Sequence, residues 1–201
     1  MIVLASASPR RRELLAGMGF DFKIITSDAE EISKETDPGR IVEDLSAKKA
    51  AAVLEKIKAE GGLPEDRGEP LLIIAADTLV FFKDEILGKP VDKADACRMI
   101  GELQGNSHSV RTGVTLILVT GKETKQVSFH EKTVVSFDKM NDSEIEAYVA
   151  TGEPMDKAGG YGIQGTCSKF IRGIEGDYFN VVGFPVSHVY RAMKEIGYIK
   201  V

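Results

Sequence analysis

Three consecutive arginines follow directly on Ser6-Ala7-Ser8-Pro9. Ser8 is a good N-cap and Pro9 a good first helical residue. Arg10, Arg11 and Arg12 then fall in the first turn of a helix expected to run to about Met18 and stop at Gly19. The exposed N–H groups and the dipole of a helix start favour an anion. Basic side chains there oppose the dipole, and a phosphate bound at that spot would offset the cost, since an arginine can hold it with two parallel hydrogen bonds. The alternative is a solvated basic face, the commoner fate of a charge run.

Asp77-Thr78 closes the apolar run LLIIAA, residues 71–76, which reads as a central strand buried on both faces. Open α/β sheets place ligands outside the carboxyl ends of their strands. A carboxylate buried there without a partner is costly, so Asp77 should face a metal, a cation or water. A turn cap is the plainer alternative, and position favours function. Lys49 lies on a helix expected over Ile41 to Ala59. With Leu45 as zero and about 100° per residue, Ile41, Val42, Ala52 and Val53 span roughly −40° to +80°, and Lys49 falls near +40°. A lysine inside that apolar arc must snorkel to water or meet an anion.

Three further stretches carry weaker signals. Gly88-Lys89-Pro90 is a turn with one basic residue. The segment Glu153-Pro-Met-Asp-Lys157-Ala-Gly-Gly-Tyr161-Gly-Ile-Gln164-Gly is rich in glycine, which lets a backbone approach a ligand closely, and Gln164 can both donate and accept at the edge of a base. An ordinary glycine loop is the alternative. Gly176 to Pro185 reads as a turn and helix entry. Neither GxxxxGK[ST] nor GxGxxG occurs, so kinase-like and dinucleotide-fold readings lack their motifs. Cys167 and His108 have no sequence partner suggesting a nucleophile and base, and read as structural.

The elements that must position these groups alternate between strand and helix. Strands are expected at 2–5, 22–26, 71–76, 107–120, 126–138 and 170–174. Helices are expected at 9–18, 41–59, 92–103, 141–150 and 185–196. Asp92 with Asp95, and Asn141 with Glu144, have the spacing of helix starts. Val186, Val189, Tyr190, Met193 and Ile196 would form the buried face of the last helix. The pattern is α/β with a mixed sheet, because 107–138 resembles a hairpin set among βα units.

The chain has 201 residues, 43% hydrophobic and 28% charged, with a net charge of −5. That composition fits a globular domain and excludes disorder, collagen or coiled coil as the main architecture. The acidic balance argues against a general nucleic-acid binder, though not against a small anion held by a local basic cluster. Two cysteines without CxxC spacing and three scattered histidines give no zinc pattern. No apolar run approaches the ~20 residues of a membrane span, and a reduced, cytoplasmic protein is expected.

Taken in order, LASASPRRRELL at 4–15, EE at 30–31, AKKAAAV at 47–53, AADT at 75–78, GKP at 88–90, HSVRTGV at 108–114, EPMDKAGGYGIQG at 153–165 and GDYFNVVGFP at 176–185 resemble the Maf family of nucleoside-triphosphate pyrophosphatases over essentially the full length. The resemblance implies one Maf-like domain over 1–201. Its fold would be a mixed sheet flanked by helices, with two lobes and a central cleft, as in the Maf and inosine-triphosphatase type. It implies hydrolysis between the α and β phosphates, a divalent cation (Mg²⁺ or Mn²⁺), and a homodimer. The family's catalytic carboxylate maps onto Asp77, either as the base that takes the water's proton or as the metal ligand. Its phosphate-gripping positions map onto Ser6, Arg10, Arg11, Lys49 and Lys89, with an acidic position at Glu31. Positions linked to substrate choice map onto Arg10, Thr78 and Gln164.

The Ser-Pro-Arg-Arg start and the Tyr-Gly-Ile-Gln-Gly loop resemble the branch that acts on dTTP and UTP rather than the one preferring 7-methyl-GTP. Gly160 and Thr166-Cys167 vary the loop expected to border the base, which keeps modified pyrimidine nucleotides in range, and 60–70 resembles an insertion. The family's associations imply removal of unwanted nucleotides or restraint of septum formation. The rival readings are a nucleotide-binding division regulator without turnover and a 7-methyl-GTP-preferring enzyme.

Overall fold

The structure is a computed structural model that describes residues 1–28, 32–61, 69–121 and 123–199. Among the described residues the strands are β1 (Ile2–Leu4), β2 (Phe22–Ile24), β3 (Leu71–Phe82), β4 (Glu85–Leu87), β5 (Ser107–Thr120), β6 (Glu123–Phe137) and β7 (Ile171–Glu175). They form one sheet in the order β2-β1-β3-β5-β6-β7, with β4 paired to β3. β1 runs parallel to β2 and β3, whereas β3–β4 and β6–β7 are antiparallel, so the sheet is mixed as expected. The helices are α1 (Pro9–Gly17), α2 (Pro38–Ala59), α3 (Lys93–Leu103), α4 (Asp142–Ala150), α5 (Tyr178–Val182) and α6 (Val186–Glu195). Among the described residues no helix is long and apolar enough to cross a membrane.

Local chemistry accounts for most helix starts. Ser8 caps α1 by accepting from the Arg11 amide, and Asn141 with Glu144 closes a full capping box on α4. Asp92 accepts from the Asp95 amide, while the Asp95 carboxylate reaches one residue further back, to the Val91 amide at 3.1 Å. The expected start of α2 is corrected by one turn. Asp37 accepts from the Gly39 and Arg40 amides, both at 3.0 Å, and Pro38 supplies the first helical residue. This is the same cap-then-proline signal that opens α1.

Two other expectations change. The strand after Pro70 does not stop at Ala76. Thr78 to Phe82 are β-forming residues that continue it for twelve residues in all, and the tight turn at Lys83-Asp84 returns it into β4. Asp77 therefore sits inside β3. Tyr190 is exposed on α6, and Ala192 takes its place beside Val189 and Met193 in the core.

The chain divides into two compact units. The first comprises Met1–Asp77, Thr112–Glu131 and Gly183–Val201. Side chains of a strand alternate between faces, and both faces of β3 are covered here. Leu72, Ile74 and Ala76 pack with Ile2, Leu4, Leu15 of α1 and Phe184, Val189 and Met193 around α6. Leu71, Ile73 and Ala75 pack with Val3, Ala5 and the α2 residues Ala50, Val53, Leu54 and Ile57. The second unit comprises Thr78–Arg111 and Lys132–Val182. Its core joins Val80 and Phe82 to Ala96, Ile100 and Leu103 of α3, Ile145, Tyr148 and Val149 of α4, and Tyr161, Cys167 and Phe170.

Candidate active site

Strand parity places the central carboxylate. Asp77 follows Leu71, Ile73 and Ala75 at odd positions of β3, the face covered by α2. Its side chain is 11% exposed and Lys49 Nζ, from α2, donates to its Oδ1. Lys49, itself 19% exposed, thus meets an anion within the apolar arc rather than snorkelling free of it. Lys56, one arc position further on, reaches out to the Thr26 carbonyl at 3.3 Å. α2 can lie this close to the sheet because Gly113 of β5 has no side chain: a Cβ there would strike the Val42 carbonyl. A hydroxyl chain from buried Ser46 through buried Thr115 to Ser128 at the surface (2.8 and 2.9 Å) fixes the helix further.

The arginine turn belongs to the same unit. Leu4 pairs with Ile74 in parallel register and the Ala5 amide donates to the Ile74 carbonyl at 2.8 Å. That register carries Ser6 to the level of Ala76, one residue before Asp77. Ser6 is buried, and its Oγ accepts from the Ser8 amide at 3.2 Å and from Arg11 Nη1 at 3.3 Å. Arg11 Nε donates to the Gly183 carbonyl at 2.8 Å. The guanidinium therefore ties the turn after β1 to the entry of α6. Arg10 is half-buried and Arg12 exposed. The Gly176–Pro185 stretch leads into α6 as expected, but Tyr178–Val182 within it form a short helix of their own, α5, and the Gly183 carbonyl adds a role that sequence spacing concealed, because its donor lies far away along the chain.

The remaining expected residues lie in the second unit. Thr78 is half-buried on the face of β3 opposite Asp77, the face that continues into Val80 and Phe82. Lys89 is exposed after the β4 strand. Gln164 is exposed in an irregular segment built from short 3-10 turns at Glu153–Asp156, Ala158–Gly160 and Thr166–Phe170. Beneath that segment His108 Nε2 and Tyr161 Oη are 2.6 Å apart. Burial lowers the His108 pKa to about 4, and burial first, with nearby negative charge second, pushes the Cys167 thiol up to about 12. Both are therefore neutral near pH 7, in keeping with structural roles. Glu31 lies outside the described residues.

No group of three or more His, Cys, Asp or Glu side chains that could hold a metal is present among the described residues. A single carboxylate such as Asp77 still fits a Mg²⁺ ion, which keeps several waters and takes one or two carboxylates together with substrate phosphates.

Comparison with known proteins gives the family. The model of the family described as "Maf-like protein" matches residues 1–196. The chain belongs to the Maf family. A relative from Agathobacter rectalis, named dTTP/UTP pyrophosphatase, is 45% identical over 203 residues, covering 98% of this chain and 97% of its own. One of the same name from Thermoanaerobacter sp. is 47% identical over 193 residues, covering 96% and 95%. Another, from Bacillus anthracis, is 44% identical over 195 residues, covering 96% and 94%. Within this Maf-family chain, the Lys49–Asp77 pair joins α2 to β3, and the Arg11 contacts join α1 to Ser6 after β1 and to Gly183 ahead of α6.

Proposed function

We propose that this protein is a nucleoside triphosphate pyrophosphatase that hydrolyses dTTP and UTP, modified pyrimidine nucleotides included, to the monophosphate and pyrophosphate. The observation that carries the reading is the buried Asp77 carboxylate held by Lys49 in the unit that also carries Arg10 and Arg11. The names of the full-length relatives support the substrate class. Water attacks the α-phosphorus, and the bond from that phosphorus to the bridging oxygen breaks. Asp77 accepts the water's proton or holds the cation. Arg10, Arg11, Lys49 and Lys89 balance the charge growing on pyrophosphate, with Ser6 holding the arginine turn. Phosphoryl chemistry of this kind is mostly positioning and electrostatics.

A divalent ion, Mg²⁺ or Mn²⁺, would be carried by Asp77 and the phosphates and would supply charge neutralisation. Gln164, with Thr78, reads the base. A wrong base would leave the glutamine amide unpaired, which is how such sites discriminate. The net charge of −5 supports a small-molecule substrate rather than nucleic acid. A homodimer in the cytoplasm is the assembly and compartment we assign, the first open to light scattering.

The test is a nucleotide panel scored for pyrophosphate release with Mg²⁺, Mn²⁺ or chelator. Turnover of dTTP and UTP above ATP, GTP and 7-methyl-GTP, lost with chelator, is expected. Equal or better turnover of 7-methyl-GTP would move the protein to that specificity, and tight nucleotide binding with no pyrophosphate would make it a binding regulator of division.

A further inference from the structure

The segment carrying Gln164 is closed on itself by one carboxylate. Glu153 Oε2 accepts from the Thr166 amide at 2.9 Å and from the Thr166 hydroxyl at 2.7 Å. Tyr148, buried in α4, donates its hydroxyl to Oε1 at 3.3 Å. Lys157 Nζ donates to the Glu153 main-chain carbonyl at 2.7 Å. Burial works to raise the Glu153 pKa, but the Thr166 hydroxyl and amide, the Lys157 charge and Tyr148 together hold it below the usual carboxylate range. The carboxylate is therefore ionised when it grips Thr166, and its hydrogen bonds are of the stronger, charge-assisted kind.

The glycines on either side of Ile163-Gln164 belong to this closure. A Cβ on Gly165 would overlap the Glu153 carboxylate, and one on Gly162 would stand 2.7 Å from Lys157 Cε. Gly165 has φ −100°, which any residue adopts, so its need for glycine is steric. The space that the sequence suggests is kept for a ligand is taken up by Glu153 and Lys157. Gln164 itself stays exposed inside the closed loop.

We infer that Glu153 is a positioning residue for base discrimination: by holding Thr166 it fixes the backbone that presents Gln164 before a nucleotide arrives. The inference rests on the reading of Gln164 as the base reader. A loop already held in its binding geometry loses less freedom on binding, and the gain falls mainly on KM. It also gives Thr166 a function, since both its donors serve the carboxylate.

The experiment compares kcat and KM for dTTP and GTP in the wild type, Glu153→Ala, Glu153→Gln, Gln164→Ala and the Glu153→Ala/Gln164→Ala double variant, beside amide hydrogen exchange over 162–166. Glu153→Ala should cut the preference for dTTP by ~10-fold, about the worth of one hydrogen bond, through KM more than kcat, and should speed exchange in the loop. Glu153→Gln, which keeps an oxygen that accepts from Thr166, should recover much of both. The double variant should be no less selective than Gln164→Ala alone, because the two residues act as one unit. Thr166→Val, which removes one donor and leaves the carboxylate, repeats the test at smaller amplitude if Glu153→Ala does not fold. Intact preference in Glu153→Ala where Gln164→Ala has lost it, or additive losses in the double variant, would overturn the inference while sparing the role of Gln164. Unchanged preference in Gln164→Ala would instead bring down the base-reading assignment, and the inference with it.

Discussion

Lys49 Nζ donates a hydrogen bond to Asp77 Oδ1, joining the middle of α2 to the middle of β3 with side chains 19% and 11% exposed. The pair settles how a lysine in an apolar arc and a carboxylate in a buried strand can both persist, since each compensates the other's charge. It also orients one carboxylate oxygen and leaves the carboxylate facing the helix side of the sheet.

Breaking the pair from the lysine side should cost stability. Lys49→Met keeps length and apolar packing but leaves the carboxylate uncompensated. A loss of about 2 kcal/mol is expected, below the range for a fully buried pair because both groups retain some solvent. Urea midpoints for Lys49→Met, Asp77→Asn and the double variant measure it. The double variant should be more stable than Lys49→Met, and a double variant that is less stable would mean the two residues are not coupled.

Asp77→Asn should separate binding from turnover. The shape is kept, but the charge and the proton-accepting ability are lost. We expect kcat to fall by ~100-fold or more, while calorimetric binding of a non-hydrolysable α,β-linked dUTP analogue survives on Arg10, Arg11, Lys49 and Lys89. Single-turnover rates close to wild type would remove Asp77 from the chemistry.

Arg11→Lys keeps the charge and loses the fork that spans Ser6 Oγ and the Gly183 carbonyl. An ammonium cannot reproduce two directed contacts. KM for dTTP should rise by ~10-fold, one hydrogen bond's worth, with a lower melting temperature. Kinetics indistinguishable from wild type would mean that the charge alone matters at this position.

His108 sets a pH dependence of stability. Burial holds its folded pKa at about 4, below the ordinary value of 6.5. Between these values the unfolded chain binds the extra proton and the folded chain does not, so stability falls as pH drops through that window and levels off below about 4. The full loss is roughly 3 kcal/mol. Urea unfolding of wild type and His108→Phe from pH 7 to 4 tests it: the wild-type slope should exceed that of the variant. Parallel slopes would place the titration elsewhere.

What the sequence reveals is mostly what short-range chemistry controls. Ser8-Pro9 and the Asn141–Glu144 box announce their helices because a cap is settled within four residues. Asp37-Pro38 carries the same information one turn ahead of the apolar pattern, and a reading that follows apolar residues starts too late. The end of β3 is not marked by Asp77, the polar residue that follows the apolar run, because pairing with β4 carries the strand past it. Lys49 stands out as an anomaly of helical phase, but its partner depends on which face of β3 meets α2, and that is set by sheet register. The Arg11–Gly183 bond and the grip of Glu153 on Thr166 join residues whose spacing follows no helical or strand period. They become visible only when the chain is folded.

The first unit is assembled from three separate stretches of chain, and Gly183, Phe184 and α6 come from the last of them. Protein synthesis proceeds from the N-terminus, so β1, the arginine turn, α2 and Asp77 all emerge long before the segment that buries Leu4 and Leu15 and accepts from Arg11. Until that segment leaves the ribosome, the apolar face of β1 and α1 has no cover from α6, and the arginine turn has no anchor. Nascent chains would thus carry these early strands with that apolar face uncovered until synthesis is nearly complete.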